Sequence, residues 1–405
     1  MGRNRTIYQS EALFVKEMGD HENVGTSDQL LRVQDISHGV ELARTDVNEF
    51  GQLSAIERQI IEPPTVNLDF SYYVHGGRNE KLLGFTETTD RSAGDKNNLK
   101  QAAGNFLKND SGKNYYISVA KEGVDAKDAS GTGIGDLELS GVIGIGNGYV
   151  TNYSVEAAVG DMPTASVSVE AANLRFNASG TEIPNPGVDL ASGSDLSTPN
   201  ITNFPAASQT GDKSGDNQVA CIKPGDILVD FNDAGNSAPS SGIATAGEVG
   251  GAKLEGDGQM HLQNFTIDLP MSRTALTRIG SRHPYSREVE VPLNISFTCS
   301  AFLGDIEDGN VNDLLCSSET PRNIRVKMLS NCGTGDVEQE FLLKNCTLES
   351  QNFSASIGDN KTVDLVFTTQ MGGATDTDSG LYMFMAGQNH SFGASEAKEN
   401  PADLS

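Results

Sequence analysis

The chain has no tryptophan, and aromatic residues make up only 6% of its 405 positions. Glycan-binding surfaces are usually built on aromatic platforms, tryptophan foremost, so a carbohydrate-recognition module lacks its usual material. Cysteine is sparse and confined to the second half: Cys221, Cys299, Cys316, Cys332 and Cys346. An odd number without Cys-x-x-Cys or Cys/His pairs argues against a disulfide framework and a zinc cluster, so free buried thiols made in a reducing cytoplasm are expected. No apolar run approaches the ~20 residues of a membrane helix, and the opening residues, Met1 to Lys16, are polar and charged; neither membrane insertion nor Sec export is expected. Basic residues are outnumbered, 29 Lys and Arg against 55 Asp and Glu, a formal charge of −26. Such a chain is expected to repel a phosphate backbone and not to wrap nucleic acid, although repulsion would suit a wall past which DNA must slide.

Catalytic patterns are missing too. The six histidines, His21, His38, His75, His261, His283 and His390, show no His-x-x-x-His or Glu-x-x-His spacing. No Gly-x-Ser-x-Gly elbow is present. The glycines from Gly131 to Gly135 and from Gly141 to Gly148 lack the Lys-Ser/Thr of a phosphate-binding loop and no helical pattern follows them, so they read as a glycine-punctuated strand or loop. Asp226, Asp230 and Asp233 lack the alternating pattern and distal Glu of a calcium loop and read as surface carboxylates. With 55 acids some pair always falls at a glycosidase-like separation, which makes that criterion uninformative. No enzymatic activity, metal or cofactor is expected.

What is present is glycine, 44 residues of it, in a composition that suits many strands joined by turns. The length exceeds what one core usually supports, so two domains, or one with large insertions, are expected. A search for self-similarity then organises the chain. Residues 44–51, from Arg44 to Gly51, match 273–280, from Arg273 to Gly280, at an offset of 229, with Val47 against Leu276 and Phe50 against Ile279. Upstream, Val33-Gln34 matches Leu262-Gln263 and Val40 matches Leu269. Residues 66–71 align with 293–298 as alternating strands, each followed by a short helical stretch, 79–83 and 312–315. Residues 155–169 parallel 353–367 as hairpins around Gly160-Asp161 with Thr164, and Gly358-Asp359 with Thr362, where Gly permits the turn and Asp can bond its backbone. Ala12-Leu13-Phe14 against Ile227-Leu228-Val229 suggests that each copy opens with a strand.

The predicted organisation is a first copy at 1–172, a Ser/Gly/Pro-rich linker or surface insertion at 173–217, a second copy at 218–378 and a tail at 379–405 whose apolar pentad 381–385 docks. Polar segments 86–113 and 232–258 read as long loops. Arg44 and Arg273 recur at one point of both copies and are candidates for salt bridges to a neighbouring domain or ring; the alternative is that each pairs within its own domain.

The runs 8–13, 64–73 and 160–167 in the first half, with 280–287 and 354–362 in the second, resemble the major tail tube proteins of siphophages. The likeness covers both copies but neither the linker nor the tail, and no run in it is a catalytic signature. It implies two tandem β-sandwich or barrel-like domains, each with a short flanking helix, whose sheets close with those of neighbouring subunits into a continuous inner barrel. One tube domain per chain and hexameric rings are usual in that family; a duplicated chain implies trimeric rings with pseudo-hexameric symmetry. The implied role is a structural virion protein of the tail, made in the host cytoplasm. It would stack into a negatively charged channel for DNA ejection and would partner itself, the tape measure, tail tip and tail terminator proteins and transiting DNA without specific binding. Capsid decoration and a β-sandwich adhesin are the competing roles.

Overall fold

Residues 65–73 alternate Val66, Leu68, Phe70 and Tyr72 with Asn67, Asp69 and Ser71, and a period of two lets an extended chain bury one face. In the computed structural model these four side chains are buried on a strand over Thr65–Tyr73. The protein is mainly β, and most of its strands belong to one large antiparallel sheet. The structure describes residues 11–88, 99–108, 112–126, 139–177, 182–190, 192–196, 199–201, 204–207, 222–233, 248–249, 252–254, 262–302, 306–309, 321–329, 337–354 and 362–385.

The first half contributes β1 (Glu11–Glu17), β2 (Val33–Glu41), β3 (Arg44–Val47), β4 (Glu57–Ile60), β5 (Thr65–Tyr73), the short helices α1 (Arg78–Leu83) and α2 (Gly104–Lys108), then β6 (Lys113–Ala120), β7 (Leu139–Ala158), β8 (Thr164–Ala171) and β9 (Asn173–Asn177). The second contributes β10 (Ile227–Asp233), β11 (Glu248–Val249), β12 (Ala252–Leu254), β13 (Leu262–Pro270), β14 (Arg273–Leu276), β15 (Ser286–Val289), β16 (Leu293–Phe302), β17 (Ile306–Gly309), β18 (Arg322–Leu329), β19 (Val337–Ser354), β20 (Thr362–Met371) and β21 (Gly380–Met385).

One pairing scheme occurs twice. β1 pairs β6, β6 pairs β7, β7 pairs β8 and β9, β8 pairs β5, and β5 pairs β2. In the second half β10, β18, β19, β20, β21, β16 and β13 repeat those partnerships in the same order. β3–β4 and β14–β15 are matching hairpins. Even the irregularities coincide: the break between Val33 and Asp35 recurs between Leu262 and Asn264, and that between Val150 and Asn152 recurs between Leu348 and Ser350. The long strands β7 and β19 each carry an asparagine with positive φ, Asn147 (55°) and Asn345 (59°), both 198 residues apart in the same alignment as Gly160 and Gly358. Each marks the change of partners along its strand, from β6 and β9 to β8, or from β18 and β21 to β20. Asn tolerates the left-handed region better than other side chains, so it suits this corner.

The registers amend two of the sequence matches. Phe70 lies opposite Val167 and Cys299 opposite Leu365, so the partner of Phe70 is Cys299, 229 residues later, not Phe297. A slip of two preserves the buried face, which is why alternation alone did not detect it. Val15 opposite Tyr115 and Phe231 opposite Ile324 put Leu13 against Val229, one residue from the alignment expected at the first strands. The short helix expected at 79–83 is α1; its expected counterpart at 312–315 lies outside the described residues, as do Gly358 and Asp359.

The two strand sets are not separate bodies. β13 of the second half pairs β7 of the first, and one cluster of buried side chains runs from Leu13 to Met385 through both. Nor is the stretch after 172 wholly a linker. Residues 173–177 form β9, and Ile183, Ile201 and Phe204 close a second cluster with Phe14, Tyr116 and Val142. The polar composition is compatible with burial because asparagines supply hydrogen bonds: Asn147 accepts from the Val188 N–H (2.7 Å) and donates to its carbonyl (3.1 Å), as a strand neighbour would. The segment lies so close to β7 that a Cβ on Gly146 would meet the Pro186 carbonyl oxygen at 2.2 Å. Likewise 86–113 is more than a loop, since Thr88 and Ala102 donate to Met383 and Leu381 of β21, whose six residues are all buried.

Candidate functional site

The feature that distinguishes the halves is the junction where β13 runs beside β7. Phe265, Ile267 and Leu269 lie opposite Ala157, Val155 and Tyr153, and all six are buried. Hydrogen bonds continue past both ends, from Met271 N–H to the Thr151 carbonyl (2.8 Å) and from Val159 N–H to the Gln263 carbonyl (2.9 Å). Fully burying one such side chain contributes roughly 1.5–3 kcal/mol, so this seam is a substantial share of a typical domain's net stability.

Arg273 crosses the seam. Its guanidinium donates to the Val150 carbonyl (3.0 Å) and the Arg287 carbonyl (3.3 Å) and lies over the rings of Tyr149 (5.1 Å) and Phe106 (5.9 Å). Beside it, the buried Arg287 forms an ion pair with Glu170 of β8. Ser281, in the turn after β14, donates to the Leu190 carbonyl (2.9 Å). The β14–β15 hairpin is thereby fastened to the first half by several independent contacts.

The first half carries the same parts without the cover. β2 is the end strand of the sheet path, and Val40 is 48% exposed where its counterpart Leu269 is fully buried. His38 is exposed where Ile267 is buried, and Leu42 is 47% exposed where Met271 is buried. β3 and β4 are exposed along their whole length; Arg44 is exposed, and the outward ion pair there is Arg58 with Asp46 (2.7 Å). The receiving side is equally bare in the second half: Phe353 of β19 is 61% exposed, whereas Val155 at that place on β7 is buried. Among the described residues no strand lies beside β19 at 350–354 opposite to β20.

The duplicated motif residues have turn roles. Gly51 (φ 98°) and Gly280 (φ 92°) sit in the tips of the two hairpins, in a backbone region that favours glycine. Phe50 and Ile279 beside them are fully exposed. Gly160 (φ 96°) turns β7 into β8, with Asp161 N–H bonded to the Ala158 carbonyl (3.2 Å) and the Thr164 hydroxyl to the Met162 carbonyl (3.1 Å). Thr362 opens β20 and shares a hydroxyl bond with Ser354 (2.7 Å).

Sequence reasoning missed the buried polar groups. Glu80 of α1 is fully buried and accepts from the hydroxyls of Tyr72 (3.0 Å) and Tyr153 (2.9 Å); burial raises its carboxyl above the ordinary range against the opposing pull of these hydroxyls. His21 bonds the Ile183 carbonyl through Nε2 (3.2 Å), so that nitrogen carries the proton and Nδ1 accepts from Tyr116; burial lowers its pKa. Gln101 donates to the Asp376 carbonyl (2.9 Å) and the Tyr382 hydroxyl (2.9 Å), a further contact between the halves. Only the helical Glu80 beside a strand rich in tyrosine gave any hint of this in the sequence.

Asp226 is buried in a short turn before β10. Among the described residues no three His, Cys, Asp or Glu side chains gather in a metal-sized cluster, and no helix is long and apolar enough to cross a membrane. Comparison with protein-family models finds none that matches the chain, and comparison with curated proteins finds no match.

Proposed function

We propose that the chain is a self-assembling structural subunit of a phage tail tube. Three chains close a ring of six similar modules, and rings stack around a channel through which DNA passes. The observation that carries the reading is the covered seam between β13 and β7 set against its uncovered equivalents, β2 at the end of the sheet path and the 350–354 strip of β19 beyond β20. A chain with complementary, non-identical ends joins head to tail, and head-to-tail joining either closes a ring or propagates without limit. Closure also hides a sheet edge that would otherwise invite uncontrolled pairing. The exposed Phe50 and Ile279 at the two hairpin tips give the ring apolar points available for stacking. The formal charge of −26 fits a conduit that does not retain DNA.

Electron microscopy of the purified chain over a concentration series tests this. Hollow filaments with a regular axial repeat are expected. Particles that stay monomeric at every concentration, or that bind only to preformed shells, would refute it.

A further inference from the structure

The internal seam specifies an intermolecular one residue by residue. In the chain, β13 and β7 pair so that Thr266 faces Glu156, Ile267 faces Val155 and Asp268 faces Ser154. β2 corresponds to β13 with 229 subtracted, as the shared break at Val33 and Leu262 requires, and β19 corresponds to β7 with 198 added, as the shared break at Val150 and Leu348 requires. Applying both shifts sets Ser37 against Ser354, His38 against Phe353, Gly39 against Asn352, Val40 against Gln351 and Glu41 against Ser350.

We infer that β2 of one chain adds to β19 of a second copy, antiparallel and in this register, making the inter-chain joint a repeat of the joint inside each chain. The inference rests on the tube reading and supplies its contact. The copy is a suitable occupant because a homologous strand already sits on the equivalent strip of β7. Both surfaces hold apolar side chains that the covered joint buries at matching places, Val40 for Leu269 and Phe353 for Val155. No two like charges face each other across the five pairs. Arg44 takes the position that Arg273 holds inside the chain, though it meets Thr347 where Arg273 meets the ring of Tyr149, so the inter-chain joint lacks that cation–π contact.

Hydrogen bonds at Met271–Thr151 and Val159–Gln263 fix which pairs exchange bonds. By alternation Ser37 and Ser354 form a non-bonded pair, the kind whose Cα atoms approach to about 4.5 Å and whose side chains a disulfide spans. The test mixes full-length chains carrying Ser37→Cys with chains carrying Ser354→Cys, each single variant and the unsubstituted protein serving as baseline for the native thiols. Mild oxidation is expected to give a two-chain species that reduction abolishes and that neither variant forms alone. Putting both changes in one chain is expected to extend the product to a three-chain species. Moving the second cysteine one residue, to Phe353→Cys, places the thiols on opposite sheet faces and is expected to return linking to baseline. Equal linking by the in-register and shifted pairs overturns the register. Filaments visible by microscopy without linking overturn this joint and leave the tube reading intact, whereas no assembly of the unsubstituted chain at any concentration removes both.

Discussion

Val40 and Leu269 occupy one position of the repeat in two environments, and truncating each to alanine separates folding from assembly. Leu269 is fully buried, so Leu269→Ala removes its transfer free energy and leaves a cavity, a cost of about 2–5 kcal/mol in unfolding free energy. Val40 is 48% exposed in the free chain, so half of its side chain remains to be covered at the joint. Half of the roughly 1.5–3 kcal/mol available to a fully buried apolar side chain is about 1 kcal/mol. Over the three joints of a closed ring this amounts to about 3 kcal/mol, on the order of a hundredfold in the ring formation constant. Urea unfolding of dilute protein measures the first quantity and sedimentation over a concentration series the second. Leu269→Ala is expected to lower the urea midpoint strongly; Val40→Ala, at a position half-buried within the chain, is expected to lower it only slightly and to shift assembly to higher concentration. A Val40→Ala chain that unfolds as easily as the Leu269 variant, or that assembles like the unsubstituted protein, would refute the reasoning.

Three further outcomes are expected. Glu80 has a carboxyl pKa raised by burial, so its contribution to stability is fully present below the unfolded-state pKa and is lost as pH rises through the higher folded value; Glu80→Gln is expected to flatten that part of the pH–stability curve, and Glu80→Ala to cost about 1–3 kcal/mol for each tyrosine hydroxyl left unpaired, both read by urea unfolding across pH. Lowered by burial, the His21 imidazole stays neutral in the fold where a free one is half protonated, so stability is expected to decline as pH falls below about 6.5; His21 ring shifts followed by NMR check this, and a normal titration contradicts it. Gly146→Ala drives a methyl into the Pro186 backbone and is expected to cost about 1–3 kcal/mol and to expose the segment 182–190 to limited proteolysis, with unchanged cleavage as the contrary result.

Much of the architecture was legible because alternation and turn chemistry are local. The run from Val66 to Ser71 announced a half-buried strand, and Gly160 announced a turn that holds it at positive φ; Gly51 and Gly280, matched only as a repeat, also lie at positive φ. Register was less legible: a slip of two at β5 preserves every buried face, so only the pairing of Phe70 with Val167 and of Cys299 with Leu365 resolved it. The stretch after 172 was hard to read because the apolar residues that it adds to the second cluster, Ile183, Ile201 and Phe204, are spread along the sequence, and its burial depends on Asn147 and on a glycine notch in β7. The site was partly visible. Arg44 and Arg273 stood out as a repeated pair, but the contacts that fasten Arg273 include a backbone carbonyl and two aromatic faces, which no spacing of charges reveals. Composition had no means of showing that Leu269 and Val155 are covered while their counterparts Val40 and Phe353 are bare.

The most direct test is a density map of the assembled protein that resolves strands at the boundary between chains. The account predicts β2 of one chain lying antiparallel beside residues 350–354 of the next, with Val40 opposite Gln351, at six quasi-equivalent seams around a hollow centre of which three are internal to the chains. A map in which β2 faces solvent, or in which chains meet through any other pair of edges, would contradict it.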